Sequence, residues 1–220
     1  MKLFYEKYIK YKSKYLNLKS IENLKNLTKS ISIPRQIESE NLRLVKNIVL
    51  DKLKELNLET EEQKFNQTVR NKSYNFSNII AYNKNAFSKY ILLAAHIDSC
   101  QLDNFYGSID SASAIAIILE LTKNLLILNP NYPLMIVFFD GEEAIQGKWS
   151  DDNTLIGSKY FVRNYDTSKI EQLYLLDLIG GGYENKFYAY NDNPLSSGQI
   201  EKLFNITPIS LNNGTIKTNN

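Results

Sequence analysis

At 220 residues and 43% hydrophobic content the chain is long enough to hold one good-sized core, and nothing in its composition demands two domains. With 26 basic and 24 acidic residues interspersed, the formal charge of +2 creates no broad basic field, so nucleic acid is not an expected partner. The single cysteine, Cys100, excludes an intrachain disulfide and a zinc site built from thiolates, and reads as a small buried hydrophobe near the site described below.

Residues 1–32 form an extension in which Lys7, Lys10 and Lys14 alternate with Tyr8, Tyr11 and Tyr15. Spacing near three and four predicts an amphipathic helix packed on the domain through its aromatics, with a solvated basic face. The extension lacks the uninterrupted apolar core of a secretory signal, and no segment reads as a membrane span, so the expected location is cytoplasmic. Pro34 disfavours continuation of the helix, and the folded domain is expected to begin at Ile33.

From Glu38 to Leu56 the stripe Leu42, Val45, Ile48, Val49, Leu53 and Leu56, with charges opposite, predicts a helix lying on a sheet. Residues 76–82 and 90–97 read as strands, the second a continuous apolar run typical of a strand buried on both faces. Residues 110–128 are apolar on nearly every side and predict a central helix with Asp110 at its N-terminal end. A strand at 134–139, a helix at 154–164 and a strand at 172–176 running into Asp177 follow. This alternation implies an α/β fold, with a mostly parallel central sheet, helices on both faces and right-handed crossovers. A further helix is expected at 196–204 and a polar tail at 206–220, which leaves 33–205 as the domain.

The strand 134–139 ends abruptly in Asp140, Gly141, Glu142 and Glu143. Burying several carboxylates costs many kcal/mol unless a cation or strong donors compensate, and a bound metal is the economical explanation. His96 and Asp98, Asp110, and Asp177 also fall at strand ends or at a helix start, and in a parallel sheet such ends share one edge. Oxygen and nitrogen ligands without thiolate suit zinc in a catalytic role. Of the neighbours Glu142 and Glu143, one is placed to hold the metal while the other, close but unligated, handles protons.

His96-Ile97-Asp98-Ser99, Gly107-Ser108-Ile109-Asp110-Ser111-Ala112, Phe138-Phe139-Asp140-Gly141-Glu142-Glu143-Ala144, Trp149-Ser150 with Leu155-Ile156-Gly157-Ser158, and Leu176-Asp177-Leu178-Ile179-Gly180 resemble the glutaminyl-peptide cyclotransferases. Ile33-Pro34-Arg35 and Phe76-Ser77-Asn78-Ile79-Ile80 are similar to segments ahead of that family's first site strand. The resemblance implies the zinc aminopeptidase-like (phosphorylase/hydrolase-like) fold. It implies one zinc held by Asp110, Glu143 and a later histidine, with Glu142 as the acid/base, Asp177 in the proton network and Trp149 walling the substrate pocket. His96 and Asp98 are additional candidate site residues. The implied reaction closes an N-terminal glutamine into pyroglutamate with release of ammonia, and the implied partner is a peptide or protein bearing that glutamine.

After Gly182 the sequence departs from the family pattern, His96 is the one histidine present, and the late histidine ligand has no counterpart. The domain is therefore expected to be incomplete at its C-terminal end. Two rival readings stay open. A zinc aminopeptidase of the same fold would use two metals on His96, Asp110, Glu143 and Asp177, with Glu142 as base. A non-catalytic relative would bind peptides without turnover. Oligomeric state is not legible.

Overall fold

The computed structural model describes residues 19–180 except Ala86, together with a short ladder at 211–212 and 215–216. Met1–Gly180 forms one compact unit and Gly181–Asn220 another. In the second, Leu211–Asn212 pairs antiparallel with Thr215–Ile216. Most of the Lys/Tyr extension, the helix expected at 196–204 and the boundary expected at 205 lie outside the described residues.

Within the first unit, residues 19–31 form helix α1, whose Ile31 is fully buried. Helix α2, Glu40–Glu55, starts where the Ser39 side chain accepts a hydrogen bond from the Leu42 amide, which satisfies one of the free N–H groups of its first turn. Strands β1 (Glu59–Val69) and β2 (Lys72–Tyr82) form a hairpin through Arg70 and Asn71. Both turn residues have positive φ, as the tightest two-residue hairpins require. Strand β3 (Tyr90–His96), helix α3 (Ser113–Leu128), strand β4 (Leu134–Phe139), helix α4 (Ile156–Asn164) and strand β5 (Ile170–Leu175) complete the order.

The sheet runs β1-β2-β4-β3-β5. Strands β4, β3 and β5 are parallel, as the alternation of elements led us to expect, while β1-β2 and β2-β4 are antiparallel, so the sheet as a whole is mixed. Side chains along a strand alternate between faces, and here both faces are apolar. Leu134, Ile136 and Phe138 of β4 join Leu93 and Ala95 of β3 against α1, α2 and α3. Met135 and Val137 join Leu92 and Ala94 on the opposite face against Phe161 of α4. Helices on both faces thus account for the continuous apolar runs.

Three features differ from expectation. Strand β1 has only Phe65 and Val69 buried, so its polar sequence carries almost no strand pattern; the ladder to β2 places it. The central helix begins at Ser113, and Asp110 lies ahead of it in an irregular π-type turn, Ser108–Ala112, with non-helical dihedrals. The stretch Ser108–Leu128 does reach the length and hydropathy of a membrane span, contrary to expectation. Its Ala114, Ile115, Ala116, Ile118 and Leu119 are buried in the protein's own core, which accounts for that apolarity.

Candidate active site

The parallel strands β3, β4 and β5 all end on one edge, and the chain leaves each of them through an acidic residue. From β3 come His96 and Asp98, from β4 the turn Asp140–Glu143, and from β5 Asp177; Asp110 arrives on the turn before α3. This is the edge at which open α/β sheets collect ligands.

His96 is the centre. It is 3% exposed, and its Nε2 lies 2.6 Å from Asp110 Oδ1 and 3.6 Å from Asp177 Oδ1. On the other side of the ring Nδ1 lies 3.5 Å from Asp98 Oδ1 and 4.0 Å from Glu142 Oε2. These are too long to make firm hydrogen bonds, and Nδ1 is buried without a partner. Burial works to lower the His96 pKa but is outweighed by the surrounding carboxylates, Asp110 at hydrogen-bond distance first, then Asp177 and Asp98, which push it up to about 12.

Asp98 is fully buried, and its two oxygens accept hydrogen bonds from the Glu142 and Glu143 amides at 3.1 Å each. Burial pushes its pKa up, and His96 with the two amides overrides this and holds the carboxyl below its ordinary range. Asp98 thereby fixes the turn that carries both glutamates. Gly141 makes the turn possible: its φ is +66°, and a Cβ there would meet the Phe76 ring at 2.6 Å.

Glu142 and Glu143 sit in the opposite electrostatic condition. Burial, with the charges of Asp98, Glu143 and Asp177 exceeding the relief from His96, raises Glu142 to about 7. Burial, followed by Asp110 and Asp98, raises Glu143 to about 7 as well. A carboxyl near half-protonation at neutral pH suits proton transfer in both directions. Asp177 is held below its ordinary range by the nearby His96 ring, 3.6 Å away.

The cluster fits a divalent cation. One nitrogen or oxygen each from His96, Asp110 and Asp177 lie within 4.8 Å of one another, and the donor set of imidazole and carboxylate is one that zinc accepts. The charge of Asp110 is felt at Glu143, yet Glu143 does not join that three-residue group. Asp140 is different. Its Oδ2 accepts from Lys46 Nζ at 2.6 Å and from the Ser77 amide at 2.8 Å. The cation that answers this carboxylate is therefore a lysine of α2.

Trp149 stands 55% exposed on the loop between β4 and α4. That loop is pinned by Asn153, fully buried, whose amide donates to the Gln146 and Lys148 carbonyls. Cys100 is half-buried, and burial with the nearby Glu143 carboxylate pushes its thiol up, so it stays protonated at neutral pH. Arg35, Lys46 and Asn153 carry no site signal in the sequence. Arg35 and Lys46 are buried against partners far along the chain, whereas Asn153 is buried among Gln146, Lys148 and Ser150 of its own loop.

A family model described as Peptidase family M28 matches residues 78–216. A Drosophila melanogaster protein named glutaminyl-peptide cyclotransferase is 30% identical over 192 residues, covering 81% of this chain and 53% of the relative. The chain thus spans about half the length of that curated relative. Among solved structures, a glutaminyl cyclase of Macrostomum lignano matches with a TM-score of 0.76 at 24% identity, over 89% of this chain and 72% of the other. A Zn-dependent exopeptidase of Parabacteroides distasonis matches with a TM-score of 0.68 at 20% identity, over 84% of this chain and 68% of the other. Both share the α/β architecture described above, which is the zinc aminopeptidase-like fold expected from the sequence.

Proposed function

The chain belongs to peptidase family M28, and from that premise we propose that it works as a zinc-dependent glutaminyl-peptide cyclotransferase, converting an N-terminal glutamine to pyroglutamate with release of ammonia. The observation that carries this reading is Glu142, a carboxyl raised to about 7 and fixed by Asp98 beside a cluster able to hold a cation. The 30% identity to the fly cyclotransferase supports the choice of reaction.

In this reading Asp110 and Glu143 hold the metal. When bound, zinc would supply Lewis-acid polarisation of the side-chain amide carbonyl. Glu142 takes a proton from the substrate α-amine as its nitrogen closes on the amide carbon, and returns it to the departing nitrogen, which leaves as ammonia. Nucleophile and electrophile belong to one residue, so the protein gains most by holding that residue curled and dry. Trp149 serves as a wall of the substrate pocket, and Asp177, 3.6 Å from His96 Nε2, belongs to the proton network.

A second reading has its own support. Among the described residues, the three whose ligand atoms lie within 4.8 Å of one another are His96, Asp110 and Asp177, and Glu143 does not join them. That grouping favours a zinc aminopeptidase, with Glu142 as base for a water.

One experiment separates the readings. The purified full chain, with and without zinc, is given a glutamine-initiated dipeptide and a leucine-initiated dipeptide. A cyclotransferase releases ammonia from the first and nothing from the second. Release of free leucine would replace it with the aminopeptidase reading. Silence on both, from a folded chain, would point to a non-catalytic peptide binder.

A further inference from the structure

Arg35 is among the largest fully buried side chains of the protein, and no carboxylate forms an ion pair with it among the described residues. A buried cation needs its donors satisfied, and here main-chain carbonyls satisfy them. Nε donates to the Ile97 carbonyl at 2.8 Å, Nη1 to Tyr106 at 2.9 Å, and Nη2 to Gly107 at 3.0 Å and Asp110 at 3.3 Å. Ile97 lies between His96 and Asp98, and residues 106–110 are the turn that delivers Asp110.

The arginine backbone is tied to the same strand end: its amide donates to Ser99 Oγ at 2.9 Å, and its carbonyl accepts from the Ser99 amide at 3.2 Å. Gly107 leaves room for this arrangement. A Cβ there would stand 2.7 Å from Arg35 Nη1 and 2.5 Å from the Asp110 carbonyl, and its φ of +54° is one that glycine adopts readily.

We propose that Arg35 is a positioning residue: its guanidinium binds the β3 end and the Gly107–Asp110 turn into one unit, and so sets the Asp110 carboxylate against His96 Nε2. A planar fork with donors on three nitrogens spans those separated carbonyls; the single ammonium of lysine does not. The consequence for metal binding rests on the reading of Asp110 as a ligand given above. The positioning itself is independent of it.

The test uses the metal-free full chain labelled with 15N-histidine. Because His96 is the only histidine, one imidazole is observed. The wild type is expected to show a strongly hydrogen-bonded Nε2–H. Arg35→Lys keeps the charge and loses the fork; Gly107→Ala keeps Arg35 and crowds it out of place. Both are expected to lose that hydrogen-bond signature and to weaken zinc binding about tenfold or more, as loss of a ligand-orienting partner does. Thermal unfolding is recorded alongside.

A purely structural arginine would lower the unfolding temperature while the folded molecules kept the wild-type His96 spectrum and zinc affinity; that result overturns the inference. If Arg35→Lys does not fold, Arg35→Met, which fills the same space without the fork and leaves the Asp110 turn otherwise untouched, decides by the same spectrum. A wild type that shows the hydrogen bond but takes up no zinc would count against the proposed function and leave the positioning role measured.

Discussion

Two sets of carboxylates stand within one small region and are treated in opposite ways. Asp98 and Asp140 are buried and bound by the protein itself, Asp98 by two backbone amides and Asp140 through Oδ2 by Lys46 and the Ser77 amide, while its Oδ1 keeps no partner and burial raises its pKa. Glu142, Glu143, Asp110 and Asp177 are more open, and burial with mutual repulsion lifts both glutamates to about 7. Carboxylates that fold the protein arrive with their donors. Glu142 and Glu143 are left short of them while Asp110 and Asp177 lean on His96, and that difference marks the working face more surely than acidity does.

The contrast can be broken most severely at the working face. Glu142→Gln keeps the shape of the side chain and removes its proton transfer, so ammonia release should fall on the order of 10²- to 10⁴-fold. Urea unfolding of the same variant should match the wild type or show slightly greater stability, since a repelling charge is gone. A large loss of stability would place Glu142 with the structural set.

The mirror experiment is Lys46→Met, which leaves Asp140 buried without its cation. Urea unfolding should show a loss of about 3–5 kcal/mol. The double change with Asp140→Leu should recover much of it, because an apolar pair of similar volume needs no compensation. A loss far below that range in the single variant would mean that Asp140 draws its compensation elsewhere.

Asp98→Asn is expected to cost less, about 1–3 kcal/mol, because one acceptor oxygen becomes a donor facing a buried backbone amide. At the open end, Asp177→Asn should leave unfolding within about 0.5 kcal/mol of wild type. Zinc titration of that variant decides between metal readings: a marked fall in affinity favours the His96, Asp110 and Asp177 grouping, and an unchanged one favours Asp110 with Glu143.

The last comparison is in pH. Glu142 and Glu143 have folded-state pKa values raised from 4.5 to about 7, and His96 from 6.5 to about 12. For raised groups the folded state binds more protons across the interval, so their stabilising contribution is present below the unfolded pKa and is lost as pH rises through the folded one. The unfolding temperature of the metal-free protein should therefore decline from pH 5 to pH 8. Saturating zinc, which favours the deprotonated ligands, should flatten or reverse that slope. A metal-free protein that gained stability over the same range would contradict the assignment.

Much of this was legible in the chain. The strand 134–139 has the bounds its apolar run predicts, because a strand covered on both faces must be apolar at every position. Helix α2 declared itself through Leu42, Val45, Val49 and Leu53. Strand β1 did not, since an exposed edge needs few apolar residues and leaves a pattern no stronger than a loop's. Asp110 could be placed near a helix start but not in the irregular turn that precedes it, whose shape depends on carbonyls held by Arg35.

By itself, the sequence determined which residue types gather at strand ends, because periodicity and abrupt changes of polarity are local properties of the chain. It could not say which carboxylate is neutralised by lysine, which is caged by amides and which stands open to a ligand. Only the tertiary structure decided that, because burial and charge act through space: Lys46 meets Asp140 from 94 positions away, and Arg35 reaches the Asp110 carbonyl from 75.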